Sequence, residues 1–221
     1  MQAITKKFML EPDAVRLLEL YGIDYPEYKT VGNECDAITA AETLGYPVVL
    51  KVVSPQVIHK SDMGGVKVNI NSEEELKRAY RDITKSVIEH EPKAEIAGMI
   101  VVKQAPMGEE AIIGVIKDEI FGKILMFGMG GILAEVFNDV TFRVCPVDKK
   151  TAGEMIAEIK GYKVLCGIRG GEAADIEALT GLLEKVSNLV MENDEIEEID
   201  LNPVRLYDKG LAVLDARVML K

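Results

Sequence analysis

One lysine, Lys51, interrupts the apolar run Val48–Val53. The loop after it carries His59, one of only two histidines in the chain, and ends in Gly64 and Gly65. A charge inside an apolar strand is costly unless it is paired or bound to something. A glycine pair nearby lets backbone approach an anionic ligand closely. An imidazole is nucleophilic near neutral pH and can serve as a general base or carry a phosphoryl group. Strand lysine, loop histidine and glycine pair together point to phosphate chemistry. The plainer alternatives are a lysine facing solvent or snorkelling at a sheet edge, and a loop histidine with no role. The other histidine, His90, sits in the polar run EHEP and reads as a solvated helix end.

A second group of chemistry-bearing residues lies near the C-terminus. Asp200 and Asn202 are two apart in a predicted strand, so both side chains face one side of the sheet. Asp215, on the predicted returning strand, can join them. Oxygen donors of this kind suit Mg2+ shared with nucleotide phosphates; the alternative is a polar sheet face. A third feature is the cluster Gly128, Gly130 and Gly131 after an apolar strand. Such a loop can present backbone N–H groups to a phosphate, or it is an ordinary tight turn. It is neither a Walker A loop nor a complete dinucleotide fingerprint, because GK[ST] and GxGxxG are both missing. The run Gly167–Gly171, with Arg169, reads as a flexible loop, the acidic run Glu192–Glu198 as a solvated turn, and Met126 and Met129 as core filling.

These groups must be positioned by a regular framework. Helices are expected over Pro12–Tyr21 (stopped by Gly22), Asp36–Leu44 (stopped by Gly45), Glu73–His90 (Ser72 as N-cap, Glu75 as in a capping box), Thr151–Glu158 and Asp175–Asn193. Strands are expected over Val48–Val53, Gly65–Asn71, Met99–Lys103, Ala111–Lys117, Gly122–Phe127, Thr141–Cys145, Ile196–Leu206 and Leu211–Ala216, the last two joined by a turn at Asp208–Gly210. Ile23–Val31 looks extended. Strands and helices alternate, which gives an α/β fold with two lobes, residues 1–95 and 96–221.

Bulk composition narrows the classes further. The 221 residues are 48% hydrophobic and 29% charged, enough for a real core and too apolar for disorder. Aromatics are 5% and tryptophan is absent, so Val, Ile, Leu, Met and Ala must build that core. A net charge of −11 disfavours general nucleic-acid binding, which needs a basic face. No apolar run approaches the roughly 20 residues of a membrane span, and the first residues lack a signal-peptide core. Cys35, Cys145 and Cys166 match no metal-ligand spacing and read as reduced thiols of a cytoplasmic protein.

The ordered runs GYPVVLKVVSPQVIHKSDMGGVKVN, GEEAIIGVIKDEIFG, MFGMGGILAEVFNDVTFRVCP and EIDLNPVRLYDKGLAVLDAR resemble the ATP-grasp fold. More closely, the chain from Glu11 to Arg217 resembles the β subunit of ADP-forming acetyl-CoA (acyl-CoA) synthetases. The resemblance implies two α/β lobes holding ATP or ADP between them, with Lys51 on the phosphates, Val102, Lys103 and Gln104 as the hinge at adenine, and Glu110 reaching the nucleotide. It implies Mg2+ at Asn202 and Asp215, as in the related succinyl-CoA synthetase β subunit. Asp200 matches the carboxylate beside a phosphorylated histidine. His59 matches the histidine that passes phosphate between a partner subunit and ADP. Gly130, Gly131, Glu135 and Arg143 are expected to line the same region.

The HKSDMGG segment replaces a Gly/Arg-rich loop of the succinyl enzymes, which favours the acetyl-CoA type. Nothing in this chain supplies a CoA-binding domain. A CoA-binding α subunit, in an α2β2 heterotetramer, is the partner the resemblance implies. The alternatives are a stand-alone ATP-grasp ligase, needing neither partner nor essential histidine, and a regulatory module that binds ATP without turnover.

Overall fold

The structure, a computed structural model, describes residues 7–131, 139–167 and 172–221. The chain divides into two compact units. The smaller gathers Pro26–Pro106 with Leu10–Asp13, and the larger gathers the described residues of Met107–Lys221 with Ala14–Tyr25 and Lys7–Met9. The expected division after residue 95 is therefore displaced. Gly98–Lys103 (β5) pairs with Tyr28–Val31 (β2) on one side and Val48–Val53 (β3) on the other, so it is an inner strand of the smaller unit and does not open the second half.

In the smaller unit Val66–Ile70 (β4) completes an antiparallel sheet of order β2-β5-β3-β4. Glu34–Leu44 (α2) and Glu73–His90 (α3) cover one face. Leu76, Ala79, Ile83 and Val87 recur at helical spacing on α3 and pack on Val48, Leu50, Val52, Met99 and Val101. Fully burying each of the larger aliphatic side chains contributes about 1.5–3 kcal/mol. Asn33 caps α2 by accepting the N–H of Asp36 at 2.9 Å, and Ser72 caps α3 by accepting that of Glu75 at 3.2 Å. The Glu75 carboxylate reaches the N–H of Asn71 at 2.7 Å, one residue earlier than a capping box requires. Strand alternation turns Val49, Lys51 and Val53 to the face opposite this core.

The larger unit is built on a seven-stranded antiparallel sheet. Its strands are Lys7–Phe8 (β1), Glu109–Asp118 (β6), Gly122–Met129 (β7), Val140–Val144 (β8), Ile196–Leu206 (β9), Leu211–Val213 (β10) and Ala216–Leu220 (β11). The order is β1-β11-β9-β6-β7-β8, with β10 also on β9. Lys149–Glu158 (α4) and Ile176–Glu192 (α6), with the single turn Tyr162–Leu165 (α5) between them, bring Met155, Ile156, Leu182, Leu183 and Val186 into the core with Ile113, Leu125, Phe127 and Leu201. The helix over Glu11–Leu20 (α1) belongs to the smaller unit up to Asp13 and to the larger from Ala14.

The expected closing strand Leu211–Ala216 is two strands. Pairing breaks at Leu214 and Asp215, opposite Asn202 and Pro203. There the N–H of Leu214 donates to Pro203 at 2.9 Å and that of Asn202 to Asp215 at 3.3 Å. Pro203 has no N–H to offer a regular ladder. Asp215 thus lies in an irregular step of the hairpin.

Candidate functional site: a lysine cluster with an exposed histidine, and a carboxylate pair

Lys51 is neither solvent-facing nor at an edge. It sits on inner strand β3, and its ammonium donates to Oε1 of Glu11 at 2.7 Å. Lys60 approaches the other oxygen of the same carboxylate at 3.2 Å. The three side chains are 7%, 9% and 1% exposed for Lys51, Lys60 and Glu11. Buried charges persist only when paired, and here one carboxylate answers two ammoniums. Lys60 is the buried corner of the glycine-ended loop. Its carbonyl accepts the N–H of Gly65 at 2.6 Å, and the Gly65 carbonyl accepts the N–H of Val52 at 2.9 Å. A Cβ on Gly65 would stand 2.7 Å from Val52 Cγ1 and 3.0 Å from the Lys60 carbonyl, so only glycine lets the loop close this tightly onto β3. His59, one residue before the corner, is exposed.

The expected hinge is partly committed elsewhere. Val102 is buried. The N–H groups of Lys103 and Gln104 donate to the carbonyls of Glu27 (2.8 Å) and Pro47 (3.1 Å). The Lys103 ammonium binds the Gly45 carbonyl, and the Gln104 side chain accepts the N–H of Asn69 at 3.0 Å. In the structure these N–H groups and the Lys103 ammonium serve the smaller unit's own framework.

In the larger unit Asp200 and Asn202 flank the buried Leu201 and share the sheet face away from α4 and α6. Asp200 stands directly opposite Arg217 on β11 and Gly114 on β6. The Arg217 guanidinium lies 3.7 Å from Asp200 and 3.5 Å from Asp215, and so links the two carboxylates that the sequence placed on separate strands. Among the described residues no group of three or more His, Cys, Asp or Glu side chains could hold a metal ion. Two carboxylates and an amide are too few for a closed cage. They fit Mg2+ that takes its remaining oxygens from phosphates and water. That a guanidinium is already drawn between the carboxylates shows that the spot favours a cation.

Glu110 pairs with Arg205 directly across the sheet, and the ion pair sets the direction of its carboxylate. The Glu110 carbonyl accepts the N–H of Gly130 at 2.6 Å, and a Cβ on Gly130 would lie 2.9–3.1 Å from Glu110 atoms. Gly130 is therefore required by strand approach, as in the plainer reading of the glycine cluster. Gly131 follows at the border of residues 132–138.

Arg143 lies on the other face of the sheet. It pairs across the sheet with Leu125, in the row of Val115 and Ile199 that lies beneath the helices, and it forms an ion pair with Glu158 on α4. Asp200, Gly114, Met126 and Phe142 occupy the next row and face the other way. Arg143 therefore ties β8 to α4 and is not on the carboxylate face. Glu135 and Arg169 lie outside the described residues.

The structure thus assembles Lys51 with Glu11 and Lys60 beside the exposed His59, and Asp200 with Asp215, Asn202 and Arg217. Glu11, Arg205 and Arg217 were missed in the sequence. The available signal was charge placement: Glu11 just ahead of an amphipathic helix, and Arg217 two residues after Asp215.

This arrangement belongs to a nucleotide-binding class. The family model described as ATP-grasp domain matches residues 2–220, and the chain belongs to that family. Within it the chain is 47% identical to "Acetate--CoA ligase [ADP-forming] I subunit beta" of Pyrococcus furiosus, over 96% of this chain and 91% of the relative. A solved structure of the Ca. Korarchaeum cryptofilum dinucleotide-forming acetyl-coenzyme A synthetase 1, in complex with coenzyme A, Ca-AMPCP and HgCl+, superimposes with a TM-score of 0.94 at 48% identity, covering 97% of this chain and 94% of that one. A second structure of that enzyme, with coenzyme A and Mg-AMPPCP and its phosphohistidine segment pointing towards the nucleotide binding site, gives a TM-score of 0.83 at 45% identity, covering 97% and 93%. The close homologues are ADP-forming acetate– or acyl-CoA ligases.

Proposed function

We propose that this chain is the nucleotide-binding β subunit of an ADP-forming acyl-CoA ligase, catalysing acyl-CoA + ADP + Pi ⇌ acid + CoA + ATP together with a CoA-binding α subunit in an α2β2 assembly. The observation that carries this reading is the exposed His59 one residue from a buried cluster of two ammoniums and one carboxylate. Two ammoniums beside the loop favour an anionic phosphoryl group on the neighbouring imidazole. His59 attacks the phosphorus of the partner's phosphohistidine. The P–N bond to the partner breaks as the bond to His59 forms. An oxygen of the ADP β-phosphate then takes the phosphoryl group and releases the imidazole.

Lys51 neutralises phosphate charge, and Glu110, aimed by Arg205, contacts the nucleotide. Mg2+, when bound, would be held by Asn202 and Asp215 and would spread the phosphate charge. Asp200 orients the phosphorylated imidazole. Catalysis of this kind rests on positioning and charge neutralisation. The structure of the related enzyme with its phosphohistidine segment turned to the nucleotide site supports phosphate travelling through such a relay.

The test is phosphoryl labelling. The purified chain is incubated with γ-labelled ATP and Mg2+, with and without the CoA-binding subunit, beside a His59→Asn variant. The expected result is an acid-labile, base-stable label that vanishes in the variant. Label that survives His59→Asn refutes the relay. Absence of label in every mixture, with ATP still bound, leaves the regulatory-module and stand-alone ligase readings.

A further inference from the structure

Nothing in the relay reading assigns a role to Glu11, yet its side chain is 1% exposed and holds two charged partners. A carboxylate this buried is retained against a large desolvation cost, and its partners show what it does. Lys51 belongs to strand β3 and Lys60 to the loop that carries His59, so the Glu11 carboxylate is the ionic link between them. The rest of the loop is also fastened: the Gly64 N–H donates to the Ser61 carbonyl at 3.1 Å, and the Ser86 hydroxyl donates to the Met63 carbonyl at 2.9 Å. Those bonds hold the far end of the loop. On the His59 side, Lys60 is a buried side chain of the loop and is ion-paired with Glu11 at 3.2 Å.

We propose that Glu11 is a positioning residue for phosphoryl transfer: its carboxylate, bridging Lys51 and Lys60, fixes the His59 loop against β3. Without the carboxylate, Lys60 loses its ionic tie to Lys51 on β3, which moves Lys60 and with it His59.

The inference rests on His59 as the relay, and the test separates the two. The full chain is labelled with γ-labelled ATP and Mg2+, and Mg-ATP affinity is measured by calorimetry, for wild type, His59→Asn, Glu11→Gln, Glu11→Asp, Lys60→Met and the Glu11→Gln/Lys60→Met pair. Glu11→Gln should slow labelling at least tenfold while the Kd for Mg-ATP moves less than threefold. Glu11→Asp, which keeps the charge, should recover part of the rate. Lys60→Met keeps the aliphatic stem and tests the same link from its other end, including where Glu11→Gln does not fold. The double variant should be no slower than the slower single one, because both cut one link. Label surviving in His59→Asn overturns the relay and this proposal together. Label lost in His59→Asn but formed at the wild-type rate in Glu11→Gln or Lys60→Met overturns the role of Glu11 alone. So does a loss that Glu11→Asp does not relieve, or a Kd that weakens in parallel with the rate.

Discussion

Replacing Arg217 with glutamine should tighten divalent-cation binding at the carboxylate pair. The Arg217 guanidinium stands 3.7 Å from Asp200 and 3.5 Å from Asp215, the carboxylate to which Mg2+ is assigned, and so competes with an entering cation for that charge. Unit charges about 4 Å apart interact with about 1 kcal/mol in bulk water and about 4 kcal/mol at an effective dielectric of 20. The side chains of Arg217, Asp200 and Asp215 are 22%, 29% and 13% exposed, so solvent screens the pairs and places each toward the lower end of that range. A long arginine can also swing aside when the cation arrives, which returns part of the competition. A net gain of about 1.4 kcal/mol, or about tenfold in Kd, is the working expectation. The assay is Mn2+ titration of the purified chain, read by loss of the free-ion electron paramagnetic resonance signal, with and without a non-hydrolysable ATP analogue. Asp215→Asn should move the same Kd the other way. Weaker or unchanged Mn2+ binding in Arg217→Gln would refute the reasoning: Arg217 would then shape the carboxylates for the metal and not compete with it.

Two further outcomes follow from local electrostatics. Backbone N–H groups of Ala178 and Gly210 hold the Asp175 carboxyl below its ordinary 3.8, because they bind the charged form. Its folded-state value is depressed, so its stabilisation is present above 3.8 and is lost as pH falls through the lower folded value. Asp175→Ala should therefore lower the urea midpoint of unfolding at neutral pH, with the gap from wild type closing in acid; a gap that stays constant would count against the cap. Cys35 and Cys166 are exposed, whereas burial raises the Cys145 thiol above its ordinary value. A disulfide reagent should titrate two thiols quickly in the native protein and the third only on unfolding.

Much of the framework was legible because local rules and tertiary packing agree. The 3.6-residue recurrence in α3 and α6, the cap at Ser72, and the β6–β7 hairpin all follow short-range chemistry that the fold did not overrule. Where reading failed, the deciding partner was distant. Gly98–Lys103 looks like any buried strand, and only its pairing with β2 and β3 assigns it to the smaller unit. Arg143 and Asp200 both alternate correctly along their own strands. Which face each takes relative to the other depends on two intervening strands and their register.

The sequence by itself determined the chemistry on offer: a lysine too costly to leave unpaired in an apolar strand, a histidine beside it, and carboxylates at period two in a terminal hairpin. Residue type and spacing along one element carry that information. The tertiary structure alone decided the partners. Glu11, 40 residues before Lys51, closes the lysine cluster, and Arg217 joins Asp200 to Asp215. Ion pairs form between side chains that strand pairing and helix packing bring together, and one-dimensional spacing does not encode that meeting.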